Sequence, residues 1–126
     1  MDKKVVAIIG ASLDRGKFGN KSVRAHLQEG WEVYPVNPRG GEIEGVKVYA
    51  SVREIPVKID RVSLYLPPER GLALLDDIAA LEPAEFFVNP GAESDELIDR
   101  ARELGLDPII ACSIVDLGES PENFGT

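Results

Sequence analysis

The residues best suited to chemistry lie in the segment that follows the first apolar run of the chain. Gly10 lets the backbone approach an anion closely, and Ser12 offers a hydroxyl donor. The segment also carries four basic residues and one acid: Arg15, Lys17, Lys21, Arg24 and Asp14. A helix is predicted to start here, so its free N–H groups and the positive end of its dipole point at the same place. The pattern favours a phosphorylated small molecule; the alternative is a solvated basic loop.

Two familiar phosphate-binding motifs do not fit this segment. A Walker A loop has four residues between its glycines, whereas five residues separate Gly10 from Gly16. Phe18 stands where a serine or threonine would follow the lysine of that motif. A dinucleotide-binding loop has its second glycine where this chain has Ser12. The segment is therefore neither a Walker A loop nor a standard dinucleotide loop.

A second polar loop follows the second apolar run, at Asn37, Pro38 and Arg39. An NAD site usually places an acid here, where it accepts hydrogen bonds from a ribose diol, and this loop has no acid. A guanidinium instead directs two donors onto a phosphate. We predict that Arg39 binds a ribose phosphate. In the alternative, Arg39 points to solvent and the basic residues of the first loop supply the charge.

Residues for catalysis or metal binding are scarce. The chain has one histidine, His26, and one cysteine, Cys112, so neither a zinc cluster nor an intrachain disulfide is expected. No Ser-His-Asp set is plausible, and we predict no catalytic residue and no metal ligand. His26 is predicted to be structural or at the surface. Cys112 ends an apolar strand, where it is either a small buried hydrophobe or aimed at a bound thiol.

Apolar, β-branched runs alternate with amphipathic stretches along the chain. Strands are predicted at residues 5–9, 31–36, 60–66, 84–88 and 108–112. Helices are predicted at residues 19–29, 69–81 and 93–104, with one short turn at residues 51–54. Residues 113–126 are rich in glycine, proline and acids, and we expect them to form a docked or loose tail.

Strands that alternate with helices require crossover connections and hence a parallel sheet. We predict an α/β fold with five parallel strands in the order 3-2-1-4-5 and helices on both faces. The switch point would lie between strands one and four. Ligands of such sheets bind beyond the carboxyl ends of the strands. The loops at that edge are residues 10–19, 37–41, 67–68 and 89–92.

Length and composition bound the possible functions. The 126 residues predict one domain, 1–126, with 44% hydrophobic and 29% charged residues. A net charge of −8 argues against a general nucleic-acid binder. No apolar window reaches the length of a membrane span, and the apolar run from Val5 to Gly10 is too short for a signal-peptide core. We expect a cytoplasmic protein.

Taken together, these segments resemble the stand-alone coenzyme A-binding proteins related to the nucleotide-binding domain of succinyl-CoA synthetase alpha chains. The resemblance covers roughly residues 4–112. It rests on VAIIGAS at 6–12, VYPVNP at 33–38, EIEG at 42–45 with VY at 48–49, VREIP at 52–56, ID at 59–60, NPGA at 89–92 and ARELG at 101–105. The order and spacing of these motifs, more than any one of them, carry the similarity.

The resemblance implies a Rossmann-like fold with a CoA site at the strand ends. Gly10, Ala11 and Ser12 would line the pyrophosphate, and the loop at 37–39 would flank the adenosine phosphate. Pro67 and Pro68 match the family's adenine wall. The pantetheine arm would face Asn89, Pro90, Gly91 and Ala92.

Three departures from the family pattern limit what the resemblance implies. Leu13 and Asp14 stand where family members often have a proline, and no histidine follows Cys112. The synthetase's phosphorylated histidine belongs to a second domain, of which we expect no counterpart here. The leading hypothesis is a binding module for CoA or an acyl-CoA that takes a small-molecule ligand, leaves room for a protein partner, and binds neither nucleic acid nor membrane. Two alternatives stay open: a subunit of a partner-dependent acyl-CoA ligase, and an NAD(P)-binding redox-sensing domain.

Overall fold

The computed structural model describes residues 3–126, which are built around a five-stranded parallel sheet. Its strands are β1 (Val5–Ile9), β2 (Glu32–Val36), β5 (Arg61–Leu64), β6 (Glu85–Val88) and β7 (Pro108–Ile110). A two-stranded antiparallel hairpin, β3 (Glu42–Ile43) and β4 (Val46–Lys47), follows β2. The predicted class, an α/β fold with five parallel strands, is confirmed.

Helices cover both faces of the sheet. They are α1 (Phe18–Gln28), α2 (Pro68–Leu72), α3 (Leu75–Ala80), α4 (Asp95–Glu103) and α5 (Ser113–Asp116), with 3-10 turns at Val52–Glu54 and Pro121–Asn123. The single helix predicted at residues 69–81 is wrong, because the chain breaks between α2 and α3. Gly71 favours the break, since glycine is a poor helix former and its missing side chain leaves room for Leu64 and Leu97. Among the described residues, no helix is long and apolar enough to cross a membrane.

The predicted strand order, 3-2-1-4-5, is also wrong. The third long strand, β5, pairs with β1, so the order along the sheet is β2-β1-β5-β6-β7. The reason is that the outer edge of β2 is already occupied: the Tyr49 amide donates to the Pro35 carbonyl oxygen (2.9 Å), and its carbonyl accepts from the Asn37 amide (3.0 Å). The switch point therefore lies between β1 and β5, not beside strand four. Both orders place it next to β1.

The central strands are buried on both faces and divide the core in two. Alternate residues of β1 point to opposite sides, with Val6 and Ile8 toward one cluster and Ala7 and Ile9 toward the other. The first cluster includes Val23 of α1. The second joins the sheet to α3 and α4 through a larger set of apolar residues. A third, small cluster docks the end of the chain on α1 through Ala25, Ile114 and Phe124.

The turn between β1 and α1 depends on two glycines in close contact. A Cβ atom at Gly19 would overlap the carbonyl oxygen of Gly10. Gly10 has a φ of +91°, and a Cβ there would lie 2.9 Å from the carbonyl oxygen of Tyr65. The first turn of α1 thus packs directly against the end of β1 because neither residue has a side chain.

Arg61 is the polar centre of the α1 face. Its guanidinium, 4% exposed, pairs with Asp116 of α5 (2.6 Å) and Glu85 of β6 (3.0 Å). It also lies between the rings of Trp31 and Phe87, 4.6 and 4.5 Å from their centres. The predicted tail is therefore tied to the sheet through α5 by an ion pair whose arginine is buried and whose aspartate is 45% exposed.

His26 lies beside this guanidinium and is fully buried. Its Nδ1 donates to the Ser22 carbonyl oxygen (2.8 Å), so Nε2 is left to accept from Arg61 Nη1 (3.4 Å). Burial, with a smaller contribution from the Arg61 charge, lowers the pKa of His26 from 6.5 to about 4. His26 is therefore a neutral core residue.

The stability of the protein should depend on pH through His26. The unfolded chain takes up this proton near pH 6.5 and the folded chain only near pH 4, so the contribution is complete above pH 6.5 and is lost as the pH falls toward 4. We expect the free energy of unfolding to fall by about 3 kcal/mol over that range. Urea unfolding of the parent and of His26→Gln at both pH values measures the difference. Equal losses in the two proteins would contradict the prediction, as would an NMR titration of the single imidazole near pH 6.5.

The glycine contact predicts a sharp difference between two substitutions in one turn. Gly19→Ala should lower the free energy of unfolding by about 1–3 kcal/mol, since the backbone of Gly10 has to move. Gly16→Ala is the matched control, because its Cβ would meet only the side-chain ends of Asp14 and Thr126, at 3.3 and 3.2 Å. Chemical denaturation of both variants tests this. Equal stability of the two variants would show that the contact does not constrain the turn.

Candidate functional site

A cleft of about 450 Å³ opens at the carboxyl ends of β1, β5 and β6. Three loops line it, and each was predicted to reach this edge of the sheet. The lining residues are Gly10, Gly16, Lys17, Phe18, Gly19, Tyr65, Leu66, Pro67, Pro90, Gly91 and Ala92. The cleft therefore lies beside the β1–β5 switch point, where open α/β sheets bind their ligands.

Unpaired backbone donors gather in the turn between β1 and α1. Within residues 3–126, the amides of Ala11, Ser12, Phe18 and Gly19 donate no hydrogen bond. The first turn of α1 contains no acid, and its N-cap residue, Lys17, provides no side-chain cap. Free amides, the positive end of a helix dipole and a lysine are thus found together. This combination stabilises a bound anion.

The turn is held in shape by side chains that use its acceptors. Asn20 Nδ2 donates to the Ser12 carbonyl oxygen (2.9 Å), and Asn37 Nδ2 donates to the Ala11 carbonyl oxygen (2.8 Å). Arg24 Nη2 donates to the carbonyl oxygen of Arg15 (2.8 Å). Three backbone acceptors of the turn are therefore partnered by side chains, whereas the amides described above have no partner among the described residues.

Some predicted residues of the first loop lie behind the cleft surface. Ala11 is buried, and the hydroxyl of Ser12 accepts from the Asp14 amide (3.0 Å). Gly10 lines the cleft, but the space beside its Cα is filled by the Tyr65 backbone, so its role is first to allow the turn. The guanidinium of Arg15 pairs with Glu44 (3.4 Å). Of the predicted cations in this loop, Lys17 is the one that lines the cleft.

The predicted phosphate-binding loop after β2 lies outside the cleft lining. Pro38 and Arg39 are exposed, and the Arg39 amide donates to Asn37 Oδ1 (2.9 Å). The Arg39 guanidinium makes no hydrogen bond or ion pair with residues 3–126. Asn37 connects this loop to the first one through Ala11.

The loop after β6 is only partly arranged as expected. Pro90, Gly91 and Ala92 line the cleft. The Asn89 side chain does not; it is buried, donates to Ser63 Oγ and the Leu64 carbonyl oxygen, and accepts from the Ser113 amide. Asn89 therefore joins β6 to β5 and α5. Pro67 also lines the cleft, and Pro68 begins α2 outside it.

Glu44 is a charged residue near the site that sequence reasoning missed. It lies at the tip of the β3–β4 hairpin with a φ of +53°, followed by Gly45 at +78°, as in a type I′ turn. Its carboxylate accepts from Asn20 (3.2 Å) and pairs with Arg15, so the hairpin is tied to the first loop. The Glu-Gly pair at 44–45 was the available signal for the hairpin. Nothing local indicated where its tip would reach.

Tyr65 and Cys112 differ in their relation to the cleft. Tyr65 lines it, and its hydroxyl bonds to Ser113 Oγ (3.0 Å); burial raises its pKa. Cys112 is half-buried at the start of α5, packs against the small cluster around Ile114 and does not line the cleft. Among the described residues, the lining contains no carboxylate, histidine, serine or cysteine. The arrangement suits the binding of an anion with an apolar extension better than acid–base chemistry.

Comparisons with known proteins identify the family of this chain. The family model described as the CoA binding domain matches residues 4–118. The alpha subunit of the ADP-forming acetate–CoA ligase II of Pyrococcus furiosus is 47% identical over 64 residues, which is 49% of this chain and 14% of that subunit. The chain thus spans a small part of this curated relative.

Solved structures show the same fold. A conserved hypothetical protein from Pyrococcus furiosus superposes with a TM-score of 0.80 at 34% identity, covering 91% of this chain and 99% of that one. The apo form of dinucleotide-forming acetyl-coenzyme A synthetase 1 from Ca. Korarchaeum cryptofilum gives 0.73 at 28% identity, covering 84% of this chain and 25% of the synthetase. The resemblance inferred from the sequence is confirmed: this chain belongs to the CoA binding domain family.

Proposed function

We propose that this protein binds coenzyme A, free or acylated, at the carboxyl ends of the strands, and that it performs no chemistry of its own. The observation that carries the proposal is the set of unpaired amides in the β1–α1 turn, next to Lys17, in a chain of the CoA binding domain family. We place this binding in the cytoplasm. The ligand is the cofactor itself, and the proposal needs no metal.

The diphosphate of CoA matches the chemistry of the turn. The amides of Ala11 and Ser12 follow β1, and those of Phe18 and Gly19 begin α1, so both ends of the turn carry amide donors without a partner among the described residues. Lys17 adds a charge that has no ion-pair partner among the described residues. Several backbone donors with a cation bind a diphosphate without discriminating what is attached to it. Specificity for CoA therefore has to come from residues on either side of the turn, which contact what is attached to the diphosphate.

The ribose phosphate of CoA is assigned to the β2 side. Arg39 is exposed there with a free guanidinium, in a loop that Asn37 fixes to the diphosphate turn. CoA carries a 3′-phosphate on its ribose, whereas NAD carries two hydroxyl groups. The loop from 37 to 41 offers a diol no carboxylate. These features support CoA over NAD as the ligand.

A second candidate is a subunit of an acyl-CoA ligase. It is favoured by the relatives whose names state such an activity, in which the matched part is 14% to 25% of the chain. In this case another polypeptide would supply the nucleotide-dependent half of the reaction. The CoA site would be the same, so the two candidates differ in the partner and not in the ligand.

The contribution of the ribose phosphate can be measured directly. We expect CoA to bind about tenfold to a hundredfold more tightly than dephospho-CoA, as a charge-assisted contact is worth about 1.5–3 kcal/mol. Arg39→Ala should remove most of this difference, and added salt should shrink it because the loop is exposed. Calorimetric titration of both ligands into both proteins gives the four affinities.

Arg102→Ala is the matched control, since it removes an exposed arginine from the last turn of α4, outside the cleft lining. It should leave the ratio of CoA to dephospho-CoA affinity unchanged. Equal affinities in the parent would remove Arg39 from the site. Binding of NADH without any binding of CoA would instead favour the redox-sensing alternative.

The purified chain alone should show no acyl-CoA synthetase or thioesterase turnover, because within residues 3–126 the cleft lining contains no serine, cysteine, carboxylate or imidazole. Hydrolysis is measured by detecting the free thiol of CoA that is released from acyl-CoA. Turnover that disappears in Cys112→Ser would refute the binding-module proposal and assign the cysteine as nucleophile. Turnover that requires an added ATP-dependent subunit would favour the ligase-subunit candidate.

A further inference from the structure

A second groove lies at the opposite edge of the sheet, where β6 and β7 begin. It has a volume of about 500 Å³ and is lined by the residues before these two strands and by the ends of α3 and α4. Its floor is formed by Phe86 and Leu106, which are buried. The other apolar lining residues are Ala79, Pro83, Ala84 and Leu104. This amino-edge groove shares no lining residue with the cleft.

The charged residues that line the amino-edge groove are both acidic. Glu82 and Asp107 are exposed, and neither forms an ion pair with any of residues 3–126. The segment around them, residues 69–107, contains eleven acidic and three basic residues, so it carries a net charge of −8, equal to that of the whole chain. Because α3 and α4 both end at the groove, the negative ends of their dipoles add to the same field. The groove is therefore complementary to a cationic partner.

Glu82 occupies a backbone position that favours glycine. One residue after the C-caps of α1, α4 and α5 the chain has a glycine with a φ between +83° and +86°: Gly30, Gly105 and Gly118. The same position after α3 is Glu82, with a φ of +48°. A side chain costs free energy in this conformation, and glycine avoids the cost. Glu44, the other non-glycine residue with a positive φ among residues 3–126, has its carboxylate bound by the first loop, whereas the Glu82 carboxylate is open to a partner.

We propose that the amino-edge groove docks a basic segment of another polypeptide, in which an apolar side chain is flanked by arginine or lysine. The apolar side chain covers the floor at Phe86 and Leu106, and the flanking cations pair with Glu82 and Asp107. Two copies of this chain docked groove to groove are disfavoured, because both faces carry the same strong negative charge. The inference goes beyond the proposed function: it adds a protein contact at the edge of the sheet that lies opposite the cleft.

The test uses a blocked pentapeptide, Gly-Arg-Leu-Arg-Gly, and two analogues, one with both arginines replaced by glutamine and one with the leucine replaced by alanine. Titration of each peptide into the full chain is followed by amide NMR shifts. We expect the parent to bind the first peptide, with shifts concentrated at residues 79–86 and 104–107, and each analogue several times more weakly. Added salt should weaken the arginine-containing peptides, because the two carboxylates are exposed.

Two paired variants separate the groove from the general negative charge. Glu82→Gln with Asp107→Asn should weaken the peptide about two- to fivefold for each carboxylate removed. Glu96→Gln with Asp99→Asn is the matched control, because it makes the same change of charge on exposed residues of α4 outside the groove lining. The control pair should have the smaller effect.

Two single variants test the apolar part and the strained backbone. Ala84→Phe places a large side chain in the groove and keeps both carboxylates, so it should also weaken the peptide. Glu82→Gly should weaken the peptide as Glu82→Gln does and should raise the midpoint of urea unfolding, since glycine suits the φ of this position. Weaker binding in a more stable variant shows loss of a docking charge and not loss of structure.

The inference is overturned if the parent binds none of the peptides, or if it binds the glutamine or the alanine analogue as tightly as the first peptide. It is also overturned if the control pair weakens the peptide as much as Glu82→Gln with Asp107→Asn. Spermidine that binds as tightly as the peptide would assign the groove to small cations, and a dimer lost in Ala84→Phe by sedimentation would assign it to a second copy. All variants should bind CoA as the parent does, so a parent that binds no CoA contradicts only the proposed function.

Discussion

The contact between Gly19 and the carbonyl group of Gly10 determines where the rest of the site can be. It brings the first turn of α1 against the end of β1, so amides from two separate elements meet at the edge of the sheet. The same turn leaves room for the backbone of Tyr65 to pass beside Gly10. A side chain on either glycine would separate α1, β1 and the exit of β5, and the cleft lies between them.

The side chains around this contact act on the first loop as hydrogen-bond donors. Asn20, Arg24 and Asn37 all donate to carbonyl oxygens of the first loop, while several amides of that loop keep no partner within residues 3–126. Free backbone amides in a loop favour an anion before any cation is counted. The basic residues of this segment divide accordingly. Arg24 is structural and Arg15 is paired with Glu44, whereas Lys17 remains available.

Local patterns in the sequence predicted the five long strands, α1, α4 and the turn after β1, because strands, helix starts and glycine turns are set largely by neighbouring residues. They did not predict the strand order, since the segment around Tyr49 occupies the edge of β2 through contacts that no local pattern encodes. The positions of Glu44 and of the Asn89 side chain were not predicted either, because they too depend on the topology of the chain and not on neighbouring residues. In the sequence, Phe18 served only to exclude the Walker A motif. Its exposed position beside the cleft depends on three loops that the fold brings together.

Arg24 connects the ligand-facing loop to the last residues of the chain. One guanidinium donates to the carbonyl oxygen of Arg15 in that loop and to the carbonyl oxygen of Phe124, which is buried against α1. The order of the loop and the docking of the last residues are therefore thermodynamically coupled. If a ligand in the loop stabilises the docking of the tail by some free energy, the docked tail stabilises ligand binding by the same free energy, because such coupling is reciprocal. Phe124 can in this way influence the first loop, although among the described residues it does not line the cleft.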